Sequence, residues 1–331
     1  MYLLSGDVGG TNTRLVLFEA SGSALNPFFS QTYNSQSFDT FTDVLRVFLS
    51  DSGCTESIKN AAIGIAGPTR GGNALVTNLS WQISESSLMD EFHFKSVKLV
   101  NDFVAISYGV SELQSRDIKV IQQGEVPENA ENTSAVILGA GTGLGLSTRL
   151  CINQQYHVFP TESGHSGFAP ESRLQSKLLL QLQSLNKHVS LEDILSGRGF
   201  LLIYQFLKVE LKLTTALDLT DQFVINDPAL IITDLALSDQ DTLCVETLKL
   251  FIEIYGAAAG NLVLNHYPID EVYIAGGIAP KIKLDKYKDI FLKAFHNKGL
   301  MTPNMKNLPI KMVVQEKVGL MGAARLASMF L

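Results

Sequence analysis

The sequence predicts an α/β protein built from two similar halves. Three observations carry this. Residues 3–18, "LLSGDVGGTNTRLVLF", read as an apolar strand, a Gly-rich turn bearing a carboxylate, and a second strand. Residues 134–150, "SAVILGAGTGLGLSTRL", repeat that grammar roughly 130 positions later, as a weak internal repeat would. Around these hairpins, short buried-strand patterns alternate with stretches of helical periodicity.

Taken in order, residues 2–8 and 13–19 are the strands of the first hairpin. Residues 40–50 have helical spacing, and "NAAIGIAGP" (60–68) reads as a buried strand ending at Gly-Pro. "SVKLV" is a short strand, and "NDFVAISYGVSEL" follows it as a helix with Asn101 or Asp102 at its cap. Residues 124–133 form a polar surface loop. After the second hairpin the chain is largely helical, over 171–185, 190–211, 227–237 and about 240–266. Strands return at "EVYIAGG" (271–277) and "IKMVVQ" (310–315), and 319–331 is a final helix.

Composition excludes several classes. The chain of 331 residues is 46% hydrophobic and 18% charged, a globular profile. A net charge of −7 without basic clusters argues against nucleic acid or an anionic membrane as partner. Cys54, Cys151 and Cys244 are far apart and odd in number, which excludes a disulfide framework and a cysteine zinc site. A reducing compartment fits. No signal peptide and no run of about 18 apolar residues are recognised, so a cytoplasmic setting is expected.

Three readings of the glycine turns compete. The dinucleotide fingerprint needs G-x-G-x-x-G opening a helix; neither "GDVGGTN" nor "GAGTGLG" (139–145) has that spacing, and a strand follows the first. The Walker loop needs Gly-Lys, which the chain lacks. The third reading is a hairpin turn whose amides bind phosphate, the glycines supplying positive φ and close backbone approach. An ordinary hairpin with an Asx turn is the alternative for either turn alone; two such turns favour phosphate. Gly9, Gly10, Thr11 and Asn12 then serve one phosphate site, and Gly139, Gly141, Thr142 and Gly143 the other. Asp7 is suited to hold Mg²⁺ through water.

"GDVGGTNTRLVLF", "LVNDFVAISYG", "LGAGTGLG", "ESGHSGFAP" and "YIAGGIAP", in this order, resemble the bacterial glucokinases. These are ATP-dependent hexose kinases of the actin and hexokinase superfamily. The resemblance implies a two-domain actin-like ATPase (ribonuclease H-like) fold, with sugar and ATP in the interdomain cleft. The expected small domain is 1–112 plus 316–331 and the large one 113–315, "VGLMGAARLA" being the closing helix that returns to the small domain. Related kinases and repressors carry a Cys-rich zinc motif after the sugar-binding His; here only Cys151 lies near, before it. No helix-turn-helix is recognised ahead of the first strand, so a repressor is not expected.

The resemblance also assigns a sugar site. Asp102 becomes the general base that takes the proton of the attacking hydroxyl, although capping the following helix is the commoner use of such an Asp. Asn101, Glu162 and His165 of "TESGH", and Glu192 of "VSLEDILSG" become sugar ligands, although Glu192 also suits a first helical turn. Asn78 is a candidate sugar contact, and Trp81 is read as packing. Gly276 and Gly277 could admit adenosine to the backbone. The small residues of "YGAAAGNLVLN" suit either the nucleotide or close helix packing. The expected activity is ATP:D-glucose 6-phosphotransfer with Mg²⁺ by a homodimer. A kinase for mannose, fructose or an amino sugar and a sugar-independent actin-like ATPase are the alternatives.

Overall fold

The computed structural model describes every residue except 23, 77–78, 126–131, 186, 213–218, 220–222, 224 and 331. Two compact units divide the chain. The first comprises Met1–Gln114, Val158–Pro160 and Gln315–Leu331, and the second Ser115–His157 and Thr161–Val314.

In the first unit, β1 (Tyr2–Val8), β2 (Asn12–Ser21) and β3 (Ala24–Asn34) form a meander, and α1 (Phe41–Ser52) follows. Thr40 caps α1 by accepting from the Asp43 amide, the usual way to satisfy an orphan N–H. Next come β4 (Ile58–Ile65), the small hairpin strands β5 (Thr69–Arg70), β6 (Asn73–Leu75) and β7 (Gln82–Ser84), and α2 (Glu85–Phe92). Then β8 (Ser96–Asn101) runs directly into α3 (Asp102–Gly109). The main sheet has the order β3-β2-β1-β4-β8, with β1, β4 and β8 parallel.

The central strands are buried on both faces, which is why they read as continuous apolar runs. Leu4, Leu15, Leu17 and Ile63 pack with Phe41, Val44, Leu45 and Phe48 of α1. Trp81 is buried in this same cluster, in line with the packing role read from sequence. Leu3 and Ala62 on the opposite face pack with Ala105 of α3 and Ala323, Leu326 and Ala327 of the last helix of the chain (Val318–Ser328).

The second unit opens with β9 (Ile118–Gln122) and a second meander, β10 (Thr133–Ala140), β11 (Leu144–Ile152) and β12 (Gln155–Thr161), of which Val158–Pro160 count with the first unit. Helices α4 (Arg173–Gln183), α5 (Leu191–Ile194), α6 (Gly197–Glu210), α7 (Pro228–Leu237) and α8 (Thr242–His266) follow. The chain then passes through β13 (Glu271–Ala275), α9 (Ile278–Lys281), α10 (Lys288–His296), α11 (Thr302–Lys306) and β14 (Ile310–Val313), and the last helix, Val318–Ser328, is α12. The sheet order is β12-β11-β10-β13-β14-β9. Its first five strands repeat the order of the first sheet, again with an antiparallel hairpin and two parallel crossovers. The weak sequence repeat is thus a repeat of topology.

Two sequence expectations change. The single helix over 190–211 is two helices, α5 and α6, broken at Leu195–Ser196. Gly199 packs so closely on Ile194 that a Cβ there would lie 1.7 Å from the Ile194 carbonyl oxygen, an arrangement a continuous helix does not allow. In addition, α8 is by length and composition a helix that could cross a bilayer, although no such run was recognised. Its most apolar stretch is 78% buried, and it packs with α6, α7 and α10 as the central helix of the second unit.

Candidate active site

The first unit holds one glycine turn and the Asp102 carboxylate. The turn closes with the Gly9 amide donating to the Asn12 carbonyl at 2.9 Å. Ser35, fully buried, fixes it from behind: its hydroxyl donates to the Gly9 carbonyl at 2.8 Å and its amide to the Thr11 carbonyl at 2.8 Å. The Thr13 hydroxyl in turn bonds Ser35 Oγ at 3.0 Å. Sequence reasoning missed Ser35, which lies in the featureless "YNSQSF". These contacts use the carbonyls of the turn. Among the described residues no acceptor meets the amides of Gly10 or Thr11, which are left for a ligand.

Asp7, near the end of β1, pairs across the hairpin with Arg14, whose Nη1 lies 3.5 Å from Oδ2. Burial pushes the Asp7 carboxyl above its usual range, and the Arg14 charge opposes this. A single hard oxygen donor of this kind fits Mg²⁺ that keeps most of its waters.

Asn101 ends β8 and caps α3, its Oδ1 accepting from the Phe103 amide at 2.9 Å. Asp102 is the first residue of α3, and its Oδ1 also accepts from the Phe103 amide at 2.9 Å. Asn101 is the N-cap residue, and Asp102 shares its Phe103 donor. Asp102 thus sits where a parallel strand passes into a helix N-terminus. Asn78 lies outside the described residues.

The second unit gathers the remaining candidates. In its glycine turn the Gly141 amide donates to the Gly143 carbonyl at 2.8 Å, and the Gly197 amide at the start of α6 donates to the Gly141 carbonyl at 3.0 Å. Glu192 Oε2 accepts from the Leu144 amide at 2.9 Å. The amides of Thr142 and Gly143 meet no acceptor among the described residues. Gly139 lies inside β10, paired with Gly145 and Ala275, so the turn proper is 141–143. No glycine of either turn has positive φ. Their role is space, and the positive-φ part of the expectation fails. A Cβ at Gly141 would meet nothing nearer than the Gly143 carbonyl oxygen at 4.0 Å.

The "TESGH" loop docks on the same hairpin. A Cβ at Gly164 would lie 2.4 Å from the Leu144 carbonyl oxygen, so only glycine lets the loop sit there. Glu162 and His165 project outward, 86% and 64% exposed, with His165 Nε2 3.9 Å from the Glu162 carboxylate. The loop is tied to the segment before α5: Phe168 N–H donates to the Val189 carbonyl and Leu191 N–H to the Ser166 carbonyl. Ser190 and Asp193 form a capping box on α5. Burial opposes ionisation of Asp193, but bonds from the Ser190 amide and hydroxyl and the Arg198 charge hold its carboxyl below the usual range.

A sequence model of the glucokinase family matches residues 4–329. The chain belongs to the glucokinase family. The glucokinase of Nostoc punctiforme is 38% identical over 343 residues, covering 98% of each chain. The crystal structure of a glucokinase from an Antarctic psychrotroph superimposes with a TM-score of 0.85 at 29% identity, over 99% of each chain. A glucokinase of Balamuthia mandrillaris, solved in complex with glucose, shares the fold at a TM-score of 0.76 and 21% identity, covering 99% of this chain and 93% of its own. The fold is thus the two-domain α/β fold of the actin-like ATPases.

Within this glucokinase-family chain, the remaining glycines divide. Gly276 has φ +78°, and a Cβ would lie 2.5 Å from the Ala140 carbonyl oxygen, so it answers to β10. Gly277 faces open space. In "YGAAAGN", Gly256 and Gly260 let α10 approach: Cβ atoms there would lie 2.1 Å and 2.7 Å from the carbonyl oxygens of Phe291 and Phe295. Helix packing explains those two. Ala257 and Ala258 instead line a cavity of about 270 Å³ shared with Ser163, Ser166 and Phe168.

Proposed function

We propose that this chain transfers the γ-phosphoryl group of ATP to O6 of D-glucose, yielding glucose 6-phosphate. The observation that carries the reading is the assembly on one hairpin. Glu192, the "TESGH" loop and the 141–143 turn all converge on Leu144, in a chain that matches the glucokinase family almost end to end.

Asp102 is the general base. Its carboxylate, in the first turn of α3, accepts the O6 proton as that oxygen meets the phosphoryl group. Asn101, Glu162, His165 and Glu192 bind sugar hydroxyls, with carboxylates accepting and amide or imidazole groups completing the set. The amides of Gly10, Thr11, Thr142 and Gly143 hold phosphate oxygens, fixed dipoles that need no reorganisation as charge develops. Gly277 leaves room for adenosine. Mg²⁺, held through water by Asp7, would neutralise phosphate charge when bound.

The free Cys54, Cys151 and Cys244 support a reducing, cytoplasmic setting. A homodimer is part of the same proposal. The deciding experiment is ATP consumption with and without a panel of hexoses. Turnover that depends on glucose, with glucose 6-phosphate as product, is expected. Hexose-independent hydrolysis, or a preference for another hexose, would overturn the reading.

A further inference from the structure

We propose that Glu192 is a positioning residue for the phosphate turn, so that one carboxylate couples the sugar to the nucleotide. This rests on the sugar role of Glu192 proposed above. The two carboxylate oxygens have different surroundings. Oε2 accepts from the Leu144 amide at 2.9 Å. It also lies against Gly143: a Cβ there would be 2.6 Å from Oε2 and 3.3 Å from the carboxyl carbon. Oε1 stands 3.9 Å from that Cβ position and has no protein partner among the described residues.

Among the described residues, two further backbone bonds hold the turn itself. Its internal bond is Gly141 N–H to the Gly143 carbonyl, and its other anchor is Gly197 N–H to the Gly141 carbonyl. Glu192 is the side chain that fixes its exit into β11. The backbone of Glu192 is itself clamped by the Ser190–Asp193 capping box and by Leu191 N–H to the Ser166 carbonyl. A hydroxyl donating to Oε1 therefore immobilises a planar group whose other oxygen already orients Leu144 and abuts Gly143. The turn is ordered before phosphate arrives, and phosphate orders the carboxylate for the sugar. Such coupling is reciprocal by thermodynamic necessity.

Two substitutions cross the two sites. Gly143→Ala lies in the phosphate turn, yet its Cβ must displace the carboxylate, so glucose affinity without nucleotide should fall. Glu192→Ala touches no phosphate, yet Mg-ADP affinity without sugar should fall roughly tenfold, the worth of one lost bond to a charged group. Glu192→Gln keeps an oxygen for the Leu144 amide, so it should restore Mg-ADP binding while glucose binding stays weak. All affinities are read by calorimetry, with melting curves confirming that each variant folds. In wild type, saturating glucose should tighten Mg-ADP binding, and in Glu192→Ala that factor should fall to one. Unchanged Mg-ADP affinity in Glu192→Ala, or unchanged glucose affinity in Gly143→Ala, overturns the proposal. Failure of the sugar assignment reads differently: Glu192→Gln would then bind glucose normally, while the sugar-free Mg-ADP defect of Glu192→Ala would persist.

Discussion

Gly322→Ala should damage both stability and turnover, although it lies far along the sequence from the candidate base. Helices α3 and α12 cross with their backbones almost touching. A Cβ at Gly322 would lie 1.8 Å from the Ala105 carbonyl oxygen and 2.4 Å from the Gly109 nitrogen. The same crossing seen from α3 puts a Cβ at Gly109 2.0 Å from the Val318 carbonyl oxygen. Restoring an ordinary carbon–oxygen contact of about 3.3 Å requires a separation of about 1.5 Å. No rotamer can supply it, because the obstacle is backbone. Overpacking costs about 1–3 kcal/mol, and a backbone clash belongs at the top of that range. The helix-propensity gain of Ala over Gly returns only about 0.5–1 kcal/mol. The melting midpoint should drop by roughly 4 °C or more. Ala105 is one turn from Asp102, so the shift also moves the base, and a misplacement of about 1 Å costs on the order of 10²-fold in rate. The matched control is Gly319→Ala on the same helix, where a Cβ meets only Ile106 Cγ1 at 3.7 Å. It should be neutral or slightly stabilising. Thermal melts and a coupled kinase assay on both variants test this. A Gly322→Ala protein that melts and turns over like wild type, or a Gly319→Ala protein that fails equally, would refute the reasoning.

Asp102→Asn should lower kcat by roughly 10²- to 10⁴-fold while melting near wild type, because the α3 cap is carried by Asn101; near-normal kcat in the coupled assay would remove the base assignment. Tyr255, fully buried, accepts from the Ala140 amide at 3.2 Å just ahead of the second turn. Tyr255→Phe leaves that amide unpaired and should cost about 1–3 kcal/mol in denaturant unfolding. Burial raises the phenol pKa, so the loss should be the same at pH 6 and pH 9. Asp193 has a lowered folded pKa, so its contribution is fully present above the unfolded value of about 3.9 and is lost as pH falls through the folded one. Asp193→Asn should therefore be destabilised at neutral pH and converge on wild type in acid, read from unfolding free energy against pH. Parallel curves would deny the capping box any ionic part.

The parts legible in sequence were those written in local pattern. The hairpins showed because their strands are buried on both faces, and the long helix at Thr242–His266 because its apolar content runs on for far longer than a strand. The strand Ala24–Asn34 was not recognised because it is an exposed edge containing Pro27, with no apolar run to mark it. The glycines of the turns pointed to phosphate, but for an incomplete reason. Conformational freedom explains Gly276, whereas Gly143 and Gly164 are glycine because Glu192 and the Leu144 carbonyl occupy the space a side chain would need.

That difference marks where sequence reasoning stops. A turn residue chosen for φ can be read from its neighbours. A glycine chosen for contact depends on a partner far away in sequence, as Gly143 does on Glu192 and Gly322 on Ala105; the Leu144–Glu192 bond likewise spans 48 residues, and the bond from Ser5 Oγ to the Leu320 carbonyl 315. No local propensity records such pairings, and they are the ones that position function. Glu192 looked like a first-turn acid with a sugar role borrowed from resemblance. Its contact with Leu144 gives it a second task, and makes the phosphate turn depend on a residue outside the glycine motif. A change at either end should therefore be felt at the other, which is why Gly143 and Glu192 belong to one unit of function although the chain writes them in separate motifs.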